Sequence, residues 1–226
     1  MTRRIRLVLA ASVASVLATL GVVVVLLHDG ASAAESSCAR TQAASVARAS
    51  IVTGHGPRTL VIGDSWAAGF GLWNIGRSFP SYLPGRVHVA AFSGSGFSEG
   101  ATHCRHESYA DRAPEALRGG ASLVVVEGGL NDTDQPPADV VSGFHRLMSV
   151  LHGHRVVVIG PTAAPKRGDS VYPVDALLAR LCAAARVPYM STLGIELPYQ
   201  GDRLHPTADG AGIFGEAVAH WIQTQA

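Results

Sequence analysis

Short runs of branched apolar residues alternate along the chain with longer stretches in which apolar positions recur every three or four residues. Five runs read as strands: "RTLVIG" from Arg58, "RVHVAAF" from Arg86, "SLVVVEG" from Ser122, "RVVVIG" from Arg155 and a short "VPYMS" from Val187. Near-continuous Val and Ile bounded by Gly is the pattern of strands buried on both faces. Between them, residues 108–118, 137–152 and 173–186 carry amphipathic spacing, two of them opening with proline at a helix start, and "HPTADGAGIFGEAVAHWIQ" supplies a last helix. Strands alternating with helices predict an α/β fold whose parallel sheet is covered on both faces.

The pattern changes before Arg58. Residues 34–57 are rich in Ala and Ser and end in "TGHGP", a helical or loose lead-in stopped by Gly and Pro. Ahead of it, Arg3, Arg4 and Arg6 precede an uncharged stretch from Leu7 to Leu27, and Ala31-Ser32-Ala33 has the small-x-small form of a signal peptidase site. Residues 1–33 are therefore expected to be a signal peptide, with cleavage after Ala33 and a secreted product. The apolar stretch is also long enough to span a bilayer, so an anchor over residues 7–27 that holds the chain at the extracellular side is the alternative. The folded domain is expected over 58–226.

Composition narrows the partners. The chain has 226 residues, 47% of them hydrophobic, enough to bury a full core. Its formal charge of +1 becomes −1 once residues 1–33 are set aside, so no field remains to recruit nucleic acid. Three cysteines in an oxidising compartment suggest one disulfide and one thiol. Cys182 falls on the apolar face of a helix in "DALLARLCAAAR", which makes it a buried thiol and leaves Cys38 with Cys104 as the expected pair.

Chemistry concentrates where strands end. Ser65 follows the first strand, Gly94 the second, Gly129-Leu130-Asn131-Asp132 the third, and Asp202-Arg203-Leu204-His205-Pro206 the fifth. A parallel sheet gathers all four clusters in one crevice, because ligands bind outside the carboxyl ends of its strands. A serine is a poor nucleophile until a base takes its proton, and His205 is of the right type. Asp202, three residues earlier, can hold the tautomer that leaves Nε2 free for the serine. Backbone N–H groups at Ser65 and Gly94 and the side-chain amide of Asn131 can then meet the oxyanion of a tetrahedral intermediate.

The order and identity of these blocks resemble the SGNH hydrolases, also called GDSL esterases and lipases. The resemblance rests on Gly63-Asp64-Ser65 with Gly69 beyond it, on Gly94 in "AAFSGSG", on Gly129 to Asp132, and on Asp202 to His205. It covers roughly residues 58–226. It implies a three-layer α/β/α flavodoxin-like sandwich with a five-stranded parallel sheet, and ester hydrolysis by Ser65, His205 and Asp202 without metal or other cofactor. Trp66 stands where the family name has leucine, a change expected to reshape the pocket floor. Gly96 lies two residues from Gly94 and competes for the same block.

Other motifs have plainer readings. Gly96-Phe97-Ser98-Glu99-Gly100 fits the G-x-S-x-G elbow of other hydrolases, but "SGS" separates it from the strand before and no helical spacing comes after it. His103, Cys104 and His106 read as a loop with a disulfide partner rather than a metal site. Trp66, Phe70, Trp73, Phe92 and Phe97 cluster around the blocks, as core or as an acyl slot or sugar platform. The sequence leaves three functions open: a carboxylesterase or lipase on small acyl esters, a carbohydrate O-acetylesterase on a polysaccharide or cell wall, and a catalytically silent glycan-binding module.

Overall fold

The computed structural model describes residues 34–225. Thr41–Ala226 forms one compact unit, and residues 34–40 belong to the unit that precedes it. The expected signal peptide, the membrane tether over 7–27 and cleavage after Ala33 lie outside the described residues. Among the described residues, no helix is long and apolar enough to cross a membrane.

Five parallel strands form one sheet: β1 (Arg58–Gly63), β2 (Arg86–Ala91), β3 (Leu123–Glu127), β4 (Val156–Ile159) and β5 (Tyr189–Met190). Their spatial order is β2-β1-β3-β4-β5. From β1 the chain goes first to one side and then to the other, so the switch point lies between β1 and β3, where α/β sheets open a crevice. The register brings the strand ends level there. Gly63 pairs with Ala91, Ile62 with Val126, and Glu127 with Ile159.

Alternate residues of each strand face opposite layers, as a pleated strand requires. Val61, Val125 and Val157 pack on one side with Phe79, Phe214 and Val218, beneath α6 (Ala208–Thr224). Leu60, Val124 and Val158 face the other layer, formed by α3 (Tyr109–Ala116), α4 (Pro137–Val150) and α5 (Val171–Ala185). The result is the expected three-layer α/β/α sandwich. Helix starts obey local chemistry: Ser108 and Asp111 form a reciprocal capping box on α3, and α4 opens on Pro137.

Of the two forms expected for the lead-in, helical or loose, residues 34–49 take the helical one and form α1. Its second half is tied to the domain by Arg48, which is fully buried and donates to Ala67 O (3.2 Å), Ser78 Oγ (3.2 Å) and Ile51 O (3.1 Å). Burial lowers this guanidinium's pKa to about 10. Cys38 and Cys104 are disulfide-bonded, whereas Cys182 is a free thiol, buried in α5 and pushed up to about 12 by burial. Trp66 belongs to the core rather than to a pocket floor. Only 2% exposed, it meets Phe214 edge-on at 5.2 Å and Tyr199 at 6.2 Å.

Candidate active site

β1 ends at Gly63, and the next residue sets the direction the chain takes on leaving the sheet. The Asp64 carboxylate accepts the Trp66 N–H at 2.9 Å and so caps the short helix α2 (Ser65–Ala68). Ser65 is thereby the first helical residue, standing over the end of the sheet. Its carbonyl accepts the Phe70 N–H at 2.9 Å, which closes the chain back beneath it.

His205 comes from the loop between β5 and α6. The Gln200 N–H donates to its carbonyl at 2.8 Å, and Thr207 caps α6 by accepting from Gly210 N at 3.1 Å. Asp202 folds back within this loop through Arg203, which adopts a left-handed φ of 59°. The Asp202 Oδ1 accepts the backbone N–H groups of Leu204 (2.9 Å) and His205 (3.0 Å), and Oδ2 lies 2.6 Å from His205 Nδ1. On the far side of the ring, His205 Nε2 lies 2.8 Å from Ser65 Oγ. A single hydrogen-bonded line thus runs from carboxylate to hydroxyl. Desolvation alone would raise the Asp202 pKa, but the hydrogen bonds from His205 and from the two backbone N–H groups outweigh it and hold it at about 2. Asp202 is an anion at any working pH, suited to face a cationic imidazolium.

The other wall is built from the loops after β2 and β3. Gly94 takes a φ of +85°, a conformation that favours glycine, and a Cβ there would meet nothing within 4 Å. Gly96 is required for a different reason: a Cβ on it would lie 2.5 and 2.7 Å from the two Asp132 carboxylate oxygens. Those oxygens accept the N–H groups of Phe97 (3.1 Å) and Ser98 (2.8 Å), so Asp132 straps the β2 loop to the β3 loop. Asn131, next to it, donates through Nδ2 to Asp64 Oδ2 at 3.0 Å and to Ser95 O at 2.9 Å, while Arg167 donates to its Oδ1 at 3.3 Å. The amide is fully oriented, with its N–H groups turned towards the Ser65 side and the loop after Gly94.

Beneath these groups lies a buried layer of charge. Burial pushes Asp64 up to about 7, against the lowering effect of the Trp66 N–H, with Asp132 raising it further and Arg112 and Arg167 lowering it. Burial also pushes Asp132 to about 6 and, together with the neighbouring Asp64, raises Glu127 well above the carboxylate range. Arg112 is the counter-charge: it donates to Gly63 O at 3.0 Å, Ser95 Oγ at 2.8 Å and Ala90 O, joining the ends of β1 and β2 to the loop around Gly94.

Among the sequence-predicted residues, Ser65, His205 and Asp202 stand in direct contact. Asn131 reaches the residues flanking that line, and Gly94 lies in the loop whose Ser95 carbonyl Asn131 engages. Ser98 belongs elsewhere: its Oγ accepts from Gly100 N at 3.1 Å and bonds Gln135 at 3.3 Å, whereas the imidazole of His205 is bonded to Ser65. Cys104 is disulfide-bonded, which removes the thiolate a metal would need beside His103 and His106. Phe92 and Phe97 are core, whereas Phe70 and Trp73 are exposed. The sequence reading missed Asp64, Asp132, Arg112 and Arg167 as supports. For Asp132 a signal existed, since it sits beside Asn131 in a loop with nearby glycines; the two arginines carry none.

The fold has well-defined relatives. A carbohydrate acetylesterase from Sinorhizobium meliloti superposes with a TM-score of 0.64 at 16% identity, over 76% of this chain and 100% of that one. The inhibitor-bound aryl esterase of M. smegmatis gives 0.64 at 17% identity, over 75% and 99%. A family two carbohydrate esterase from Clostridium thermocellum in complex with cellohexaose gives 0.59 at 15% identity, over 76% and 65%. At such identities the likeness is one of fold. No curated protein sequence matches the chain. A model of the GDSL-like lipase/acylhydrolase family matches residues 61–213, a span that holds all four blocks, and the chain belongs to that family of serine ester hydrolases.

Proposed function

We propose that this chain is an exported esterase that cleaves acyl esters through a Ser65, His205 and Asp202 triad and an acyl-enzyme intermediate. The observation that carries the reading is the unbroken line from Asp202 Oδ2 to His205 Nδ1 (2.6 Å) and from His205 Nε2 to Ser65 Oγ (2.8 Å). His205 accepts the hydroxyl proton as Ser65 Oγ attacks the acyl carbon, and Asp202 stabilises the imidazolium that results. The carbonyl oxygen becomes an oxyanion, met by the N–H groups of Ser65 and Gly94 and by Asn131 Nδ2. In the resting site both Asn131 N–H groups are engaged, so one of them is exchanged from Ser95 O or Asp64 as charge develops. His205 then delivers its proton to the leaving alcohol, and water repeats the sequence to free the acid. Export rests on the arginine-led apolar segment and the Ala31-Ser32-Ala33 site.

A second reading, a carbohydrate O-acetylesterase acting on a polysaccharide or cell wall, is supported by the relatives that act on carbohydrate esters. The experiment is a hydrolysis panel on the purified protein: p-nitrophenyl esters from acetate to octanoate, and acetylated xylan and peptidoglycan. Ester turnover that vanishes in Ser65→Ala with an unchanged circular dichroism spectrum is expected. Turnover retained in that variant would remove Ser65 from the mechanism, and a preference for acetyl groups on glycans over simple esters would select the second reading.

A further inference from the structure

Phe70, in contact with the proposed triad, is half in solvent, and Trp73, three residues on in the same loop, is wholly in solvent. Phe70 lies against the His205 imidazole, with ring centroids 4.5 Å apart and planes tilted by 36°, yet it is 51% exposed. Trp73, three residues on and therefore within roughly 11 Å along the chain, is 100% exposed, whereas Trp66 is 2% exposed in the core. A lone exposed ring needs no explanation. One that rests on the imidazole in a pinned loop, with a second exposed ring three residues on, does.

The loop is pinned from both sides. The Phe70 N–H donates to Ser65 O at 2.9 Å, and Leu72 N donates to Gly69 O at 3.1 Å. Gln200 reaches across from the His205 loop: its Nε2 donates to Phe70 O at 3.0 Å and to Pro206 O at 2.8 Å. A Cβ on Gly71 would lie 2.2 Å from Gln200 Oε1, so residue 71 has no side chain where this strap passes. At the far end the Asn74 side chain accepts the Gly76 N–H at 3.0 Å. Phe70 is thus fixed relative to His205, and its carbonyl strap keeps it from folding away.

The position relative to the reacting atoms assigns the ligand. In an acyl transfer, His205 Nε2 returns its proton to the departing alcohol oxygen, so the alcohol part of the ester leaves on the imidazole side of Ser65. Asn131 and the Gly94 loop, which receive the carbonyl oxygen, stand on another side. A ring resting on the imidazole therefore borders the side from which the alcohol departs. Aromatic faces bind flat apolar surfaces, either the π-face of an aryl group or the C–H face of a sugar ring.

We propose that Phe70 and Trp73 form the binding surface for the alcohol part of the ester and select alcohols that present a flat ring. The proposal rests on the ester hydrolysis argued above. Because the contact exists equally in the ground and transition states, losing it raises KM and leaves kcat nearly constant.

The test measures kcat and KM on ethyl acetate, ethyl butyrate, phenyl acetate and a mono-O-acetylated methyl hexoside. The variants are Trp73→Ala, Trp73→Phe and Phe70→Leu, with Val46→Ala on the exposed face of α1 as a remote control. In Trp73→Ala the preference for a ring alcohol over ethyl acetate, taken as a ratio of kcat/KM, falls roughly 3- to 10-fold through KM. Trp73→Phe recovers part of it, and Phe70→Leu shows a loss of similar size. The ratio of ethyl butyrate to ethyl acetate stays fixed throughout. A fall confined to phenyl acetate assigns an aryl alcohol, and one confined to the hexoside assigns a sugar. Ratios that do not move, or an acyl-chain ratio that moves in their place, overturn the proposal while ester hydrolysis stands. Hydrolysis of none of the four esters by the unaltered protein removes both.

Discussion

Replacing Asp202 by Asn tests the line of hydrogen bonds at its most diagnostic point. The carboxylate does two jobs with two oxygens: Oδ1 accepts the Leu204 and His205 backbone N–H groups at 2.9 and 3.0 Å, and Oδ2 faces Nδ1 at 2.6 Å. In Asn, the amide oxygen must stay on the two backbone donors, because turning the NH2 towards them would leave three donors facing one another. The NH2 is then directed at Nδ1, which must become an acceptor, so the ring proton moves to Nε2 and faces Ser65 Oγ as a donor. Such a histidine cannot take the serine proton. Reaching the productive tautomer costs the two backbone bonds and leaves the imidazolium without its carboxylate, and a triad histidine held in the wrong tautomer loses roughly 10³- to 10⁴-fold in kcat. KM should change little, since Asp202 sits behind the ring. Hydrolysis of p-nitrophenyl acetate by both forms, tracked from about pH 5 to 9, supplies the measurement. A kcat within tenfold of the unaltered enzyme across that range would refute the assignment of Asp202 as the group that sets the tautomer.

Three further outcomes rest on particular contacts. Asn131→Ala should lower kcat by roughly 10²- to 10³-fold with KM nearly unchanged, whereas a pure KM effect would make Asn131 a substrate-binding residue. Asp132 has its folded pKa raised from 3.8 to about 6, so its contribution to stability is fully present below pH 3.8 and is lost as pH rises through about 6. That loss amounts to at most about 3 kcal/mol. Urea unfolding of the unaltered protein should therefore weaken more steeply between pH 4 and 6 than that of Asp132→Asn, and parallel pH curves would contradict the shift. The Cys182 thiol, buried and pushed up to about 12, should be silent to Ellman's reagent in the native protein and react as one thiol per chain after unfolding without reductant. Rapid labelling of the native protein would contradict its burial.

What the sequence made legible was whatever local chemistry decides. β1, β3 and β4 are readable because near-continuous apolar runs suit strands covered on both faces, and β2, interrupted by His88, is readable from the alternation of Val87, Val89 and Ala91. The Asp202 and His205 contact is readable because three residues of chain allow little other than a turn. α5 begins at Val171, two residues ahead of the expected Pro173 start, because a proline in the first turn of a helix sacrifices an N–H that has no helical partner. Long-range pairings were not readable. Arg48, Arg112 and Arg167 look like solvated arginines in a chain rich in them, and only the fold brings Arg112 to Gly63 O, 49 residues away. Aromatic residues were ambiguous for a related reason: Trp66 and Trp73 differ by seven positions, and only the side each faces separates a core anchor from an exposed ring.

The central claim is that Ser65, and no other serine, is activated for attack on an acyl carbon. A fluorophosphonate reacts only with such a serine, so the most direct measurement is labelling of the purified protein and then mass mapping of the modified peptide. One adduct per chain on Ser65 is expected, absent in Ser65→Ala and strongly slowed in Asp202→Asn, with Ser98→Ala labelled at the unaltered rate. An adduct on Ser98 or on any other residue, or no adduct in an intact folded protein, would contradict the account.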